Sequence, residues 1–138
     1  MYLSYAEYQA MGGTKDETTF TNMEFEARAI IDWYTFGRLK KETQQCEEVK
    51  RCMYYLITRL SELADAKDAA LRLGADAGSQ SVASQSNDGV SISYNTISYA
   101  ELAKDLLESE GLAVKRFLQG VVNELGHRVL YRGIYPDE

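Results

Sequence analysis

Apolar residues recur every three or four positions along most of this chain, and that recurrence predicts a series of amphipathic helices. Ser4 with Glu7 forms a capping box that opens a short first helix, which Gly12-Gly13 stops. Asp16 or Thr18 caps a second, with Phe20, Met23, Ala27, Ile30, Ile31 and Tyr34 on its inner face and Phe36-Gly37 at its end. Glu24 and Arg28 form an exposed or semi-exposed i,i+4 pair on it. The third and longest helix is expected from about Thr43 to Leu73, with a core stripe of Cys46, Val49, Met53, Leu56, Ile57, Leu60, Leu63 and Ala64, closed by Gly74. Ser98 and Glu101 box the start of another, which carries Leu102, Leu106 and Leu107 as far as Gly111. A last helical run holds Val114, Phe117, Leu118, Val121, Val122 and Leu125 and ends at Gly126. Pro136 is the only proline, so no helix breaker interrupts this pattern.

The helical period breaks in two places. Residues 74 to 100 contain no Lys or Arg and many serines. Within them Asp88-Gly89 is a tight-turn dipeptide, and Val90, Ile92 and Tyr94 alternate with Ser91 and Ser93 as a half-buried strand would. The segment from about 75 to 97 is therefore expected as a long Ser-rich arm or β-hairpin, ordered by a partner surface. The second break is the tail from about 127 to 138, where Val129-Leu130-Tyr131-Arg132-Gly133-Ile134 is apolar and β-prone. The expected fold is all-α, one domain over 1–138, a compact bundle of four to five helices with that arm and an extended C-terminal tail.

Composition narrows the function classes. With 26% charged and 45% hydrophobic residues in 138, the chain belongs with globular proteins. A net charge of -6 argues against nonspecific nucleic-acid binding, and Arg38-Lys40-Lys41, Lys50-Arg51 and Lys115-Arg116 read as ordinary solvated helix surface. Cys46 and Cys52 on one helix lie roughly 120° and about 9 Å apart, too far to bridge. Unpaired thiols, Cys46 as a core position among them, fit a reducing cytosol. Met1-Tyr2-Leu3-Ser4 shows no leader pattern and no apolar run reaches membrane length, so a cytosolic product with no membrane is expected.

Candidate chemistry is sparse. His127 is the sole histidine, and one His with two Cys falls short of the ligands a zinc site needs. No loop alternates carboxylates as a calcium site does, and no Gly-rich loop with a following lysine cradles phosphate. No catalytic, cofactor-binding or metal residue is assigned, and no enzyme activity is expected. Ten tyrosines are the more informative feature. Tyr5, Tyr8, Tyr34, Tyr54 and Tyr55 are expected to roof a small core, whereas Tyr94 and Tyr131 on the projections suit an interface.

Several segments, in this order, carry a resemblance: Tyr5-Ala6-Glu7-Tyr8 before Gly12-Gly13, Ala27 to Thr35, Val49-Lys50-Arg51-Cys52-Met53, Ser84 to Tyr94, and Leu130-Tyr131-Arg132-Gly133. Together they resemble the head–tail connector (adaptor, or head-completion) proteins of long-tailed bacteriophages and related prophages. The resemblance implies a structural virion protein at the head–tail interface, assembled in the bacterial cytoplasm. It implies docking on the portal protein as a homo-oligomeric ring, a dodecamer on assembly, and a platform for the downstream head-closure or tail-joining protein. Genomic DNA would pass through the lumen without specific binding, which an acidic chain suits. The expected interface residues are Ser86, Asn87, Asp88, Gly89, Val90, Ile92 and Tyr94 on the arm and Leu130, Tyr131 and Arg132 on the tail. The alternative is a cytosolic, non-enzymatic interaction or regulatory module that lends the arm to a partner sheet as a strand.

Overall fold

A computed structural model describes residues 1–79 and 85–138, with side chains described outside 74–99. The described residues form four helices: α1 (Tyr5–Ala10), α2 (Glu17–Thr35), α3 (Glu47–Ser79) and α4 (Gln85–Leu118). They divide into two compact units, Met1–Thr58 with Ser109–Glu138, and Arg59–Glu108.

The first two helices begin where their capping residues stand. Ser4 and Glu7 exchange side-chain and backbone hydrogen bonds in a full capping box, and Asp16 Oδ2 accepts from the Thr19 amide at 3.2 Å. Gly12, at φ +99°, supplies the left-handed residue that turns the chain out of α1. The inner face of α2 is Phe20, Glu24, Ala27, Ile31 and Thr35. Met23, Ile30 and Tyr34, expected in the core, are only half-buried. Glu24, expected near the surface, is 2% exposed. It is tolerated because Tyr2 donates its backbone N–H to Glu24 Oε1 at 2.8 Å and Arg28 lies 3.5 Å from Oε2. Thr35 likewise satisfies its buried hydroxyl on Ile31 O at 2.9 Å.

Helix α3 starts at Glu47, later than expected, because the preceding residues have other partners. Thr43 donates its backbone N–H to Glu124 at 2.9 Å, and Gln45 Nε2 donates to Leu39 O at 3.0 Å. Its inner stripe is Val49, Cys52, Met53, Leu56 and Ile57, all 0% exposed, the i, i+3, i+4, i+7, i+8 spacing of one face. Cys46 is exposed, so Cys52 and not Cys46 is the core cysteine. Burial holds the Cys52 thiol up at about 12. Above this stripe Tyr8 packs on Phe20 and Tyr54, with ring centroids 4.9 and 5.9 Å apart, and Tyr55 packs on Phe117.

Helix replaces the expected hairpin over Gln85–Tyr94, since α4 is continuous from Gln85 to Leu118. The same residues admit both readings: Val90, Tyr94 and Ile97 also fall at i, i+4, i+7, and a lone two-stranded hairpin is marginal in water. Gly74 and Gly111 do not end their helices. At Gly111 an added Cβ would stand 2.5 Å from the Tyr34 hydroxyl, so this glycine serves a close approach of α2 and not a stop. In the unit Arg59–Glu108, Ser61 and Leu106 are buried among the described side chains.

The last run leaves the helix at Leu118, with Lys115 and Arg116 in its final turn, and folds back on itself. Asn123 donates to His127 O at 2.9 Å and Val129 to Val121 O at 3.1 Å, around a turn with Gly126 at φ +80°. Val122 and Arg128 form the bridge of this turn. Val121 and Val129 point inward, 8% and 0% exposed, while Val122 and Leu125 face solvent. The tail is thus packed on its own unit through Val129 and does not stand free.

Candidate interaction surface

Helix α2 carries a second apolar stripe. Phe25, Ala29 and Trp33 recur at i, i+4, i+8, about 160° around the helix from the core stripe, and Phe36 continues them from the cap. Phe25, Trp33 and Phe36 are 64%, 79% and 60% exposed. Single exposed apolar residues are ordinary, but three aromatic rings on one face form a patch that marks binding.

The end of α2 fixes one of these rings. Phe36 adopts φ 54°, the left-handed region that a bulky side chain enters only when its surroundings hold it there. Both Phe36 and Gly37 donate their backbone N–H to Asp32 O, which is a helix-closing arrangement that places Phe36 in the position usually given to glycine. The Arg38 guanidinium then lies 5.4 Å from the centre of the Phe36 ring.

Arg38 itself is 9% exposed, although the sequence places it among solvated basic residues. Its guanidinium donates to Val129 O at 3.4 Å, to Tyr131 O, and to Gly133 O at 2.6 Å. It also grips Glu138 bidentately along one edge, Nε to Oε1 at 2.5 Å and Nη2 to Oε2 at 3.0 Å. The Arg38 contacts, followed by the Tyr135 amide, hold the Glu138 carboxyl down at about 2. Nearby, His127 stacks on Tyr135 at 3.9 Å with planes 5° apart, and its Nε2 is 2.9 Å from Asp137 Oδ1. The fork geometry explains why an arginine is here: five donors in one plane satisfy backbone carbonyls at 129, 131 and 133 that otherwise lack partners in this non-helical segment.

Two open concavities flank the exposed rings. One, of about 550 Å³, is lined by Phe25, Arg28, Asp32, Trp33, Phe36 and Lys40. The other, of about 580 Å³, is lined by Asp32, Trp33, Tyr34, Phe36 and Arg132. Asp32 is the acid they share, and it already accepts from the Tyr2 hydroxyl at 2.5 Å and lies 3.7 Å from Lys40 Nζ. Burial, and then Asp32, push the Tyr2 hydroxyl far above its ordinary value.

Of the expected interface residues, Tyr131 and Arg132 are exposed and Leu130 is half-buried. The side chains of Ser86, Asn87, Asp88, Gly89, Val90, Ile92 and Tyr94 lie outside the described residues, on the backbone of α4. The structure therefore brings Arg132 beside Trp33 and Phe36, a meeting that linear order conceals. Sequence reasoning missed Phe25, Trp33 and Phe36 as a surface, and Arg38 with Glu138 as a clasp. A signal for the first was present, since the stripe has helical spacing on the side away from the core.

Among the described residues no group of three or more His, Cys, Asp or Glu is placed to hold a metal ion, and no helix is long and apolar enough to cross a membrane. No family model, curated protein or solved structure matches this chain.

Proposed function

We propose that this chain is a structural adaptor of a phage or prophage virion, a head–tail connector that docks on the portal as a ring and receives the next tail-joining protein. The observation that carries the reading is the solvent-facing aromatic stripe of α2 and its cap, Phe25, Trp33 and Phe36. A small helical chain that keeps three aromatic rings in water has a use for them against another macromolecule. The ordered resemblance across the chain names the class of partner, and the net charge of -6 suits a conduit that must release DNA. The rival reading is a cytosolic, non-enzymatic interaction or regulatory module that lends an extended arm to a partner sheet; a helical Gln85–Tyr94 supplies an extended strand to neither reading.

Mixing the purified chain with purified portal rings tests this directly. Stoichiometric decoration of one face of the portal, seen by sedimentation and by electron microscopy of the particles, is the expected result. Portals that remain bare at micromolar concentrations of the chain reject the adaptor role.

A further inference from the structure

We infer that the Phe25, Trp33 and Phe36 surface, with Lys40 and Arg132 at its edges, seats an acidic amphipathic segment of a partner protein. The inference deepens the adaptor reading and rests on it only for the occupant's being a protein. The rings supply apolar anchoring: Trp33 is 79% exposed and borders both concavities, and Phe36 is held in its unusual backbone position between them. Buried aromatic residues of this kind concentrate binding energy once a partner excludes water from them.

Charge selects the occupant. Arg28, Lys40 and Arg132 line the two concavities with Asp32, and Arg28 is held 3.5 Å from the buried carboxylate of Glu24. Asp32 is only 16% exposed and already faces Tyr2 and Lys40, whereas the Lys40 side chain is 64% exposed and Arg132 is exposed. On a chain of net charge -6, the exposed Lys40 and Arg132 give this rim cations for an acidic partner to meet. Leucine or phenylalanine side chains of the partner would lie on the rings, and its glutamates or aspartates would reach the cations at the rim. A nucleic acid fits less well, since these few cations beside an acid offer no continuous track for a phosphate backbone and the net charge of -6 opposes it.

Trp33 is the only tryptophan, so its emission reports this surface alone. The probe is a synthetic helical peptide with leucine at i, i+3, i+4, i+7 and glutamate at its polar positions. Its addition should move Trp33 emission to shorter wavelength and protect it from acrylamide, with affinity falling as salt rises. Arg132→Glu and Lys40→Glu should each weaken binding by about tenfold or more, and Trp33→Ala should do the same when a labelled peptide is followed by anisotropy. Unchanged far-ultraviolet circular dichroism in each variant shows that it is folded. The inference is overturned if a lysine peptide of the same leucine pattern binds as well, or if protection comes only from oligothymidylate or from anionic vesicles. It is equally overturned if protection comes from raising the protein's own concentration, which would make a second copy the occupant. A portal that binds the chain while Trp33 stays fully quenchable rejects this surface and leaves the adaptor role standing; peptide binding without portal binding does the reverse.

Discussion

Replacing Arg38 with alanine should loosen the C-terminal segment and lower the stability of the unit that contains it by about 3 kcal/mol. The magnitude follows from its contacts. The bonds to Tyr131 O and Gly133 O are the close ones, and the bond to Val129 O, at 3.4 Å, is long. A hydrogen bond from a charged donor contributes about 1.5–3 kcal/mol, so two would contribute roughly 3–6. Both carbonyls are only partly buried, and water can replace part of what is lost, which brings the figure to the lower end. The exposed Glu138 contact adds little to this sum. With an unfolding entropy of about 2.1 cal/mol/K per residue, a loss of this size lowers Tm by about 10 °C in a chain this long.

Two further variants separate geometry from charge. Arg38→Lys keeps the charge but cannot address three carbonyls and a carboxylate from one plane, so it should recover less than half of the loss. Glu138→Gln should cost far less than Arg38→Ala, because the carbonyl bonds survive. Melting followed at 222 nm, with amide exchange of Asn123 and Val129 as a local readout, measures all three. An Arg38→Ala protein melting within about 2 °C of the parent would refute the argument, as would an Arg38→Lys protein that behaves like the parent.

Acid should weaken the fold within a definite window. Glu7, held mainly by Lys50 and then by Ser4, and Glu138, held mainly by Arg38, are both lowered from 4.5 to about 2. Their contribution is complete above about pH 4.5, and it is lost as pH falls towards 2 because the unfolded chain takes up protons that the folded one resists. Melts between pH 6 and 2 should show this decline, and it should be shallower in Glu7→Gln. For the cysteines, a thiol reagent should modify one group per native chain, the exposed Cys46, and reach the buried Cys52 only after denaturation. Two fast groups in the native protein would contradict the assigned stripe. Arg38→Ala should also weaken the acidic peptide at the Trp33 surface in the anisotropy assay, since it frees the backbone on either side of Arg132; unchanged affinity would separate clasp from surface.

The helices were legible where local chemistry and packing agree. Ser4 with Glu7 and Asp16 announce α1 and α2 because a cap is a short-range interaction, readable from four adjacent residues. Starts and stops that depend on distant partners were not. Thr43 opens no helix because its amide meets Glu124, some eighty positions away. Gly111 ends none because its missing side chain answers Tyr34. The Cys46 for Cys52 exchange has the same origin, since both lie on faces compatible with a 3.6 period and only the neighbours decide which turns inward. The strand reading of Val90 to Tyr94 rested on five alternating residues, too few to outweigh a helix running through them from Gln85. The proposed surface was half visible: Tyr131 and Arg132 drew notice as an aromatic and an arginine in an apolar tail, while Trp33 passed as one more helix residue.

Clasp and surface are better understood as one construction. Phe36 closes α2 in a left-handed conformation that costs free energy, and the chain two residues later delivers Arg38. That guanidinium lies 5.4 Å from the centre of the Phe36 ring and 5.1 Å from that of Tyr135, while its donors fasten carbonyls 131 and 133. Arg132 sits between those two carbonyls, so its backbone is fixed from both sides and its side chain is free to line the concavity beside Trp33. A side chain with a fixed root loses less entropy when a partner binds it than one on a loose tail. The apolar tail that looked like a free projection is therefore more useful bound to its own bundle. Held there, it presents a cation beside the aromatic face of α2 at a defined place, which is what the proposed acidic segment would recognise.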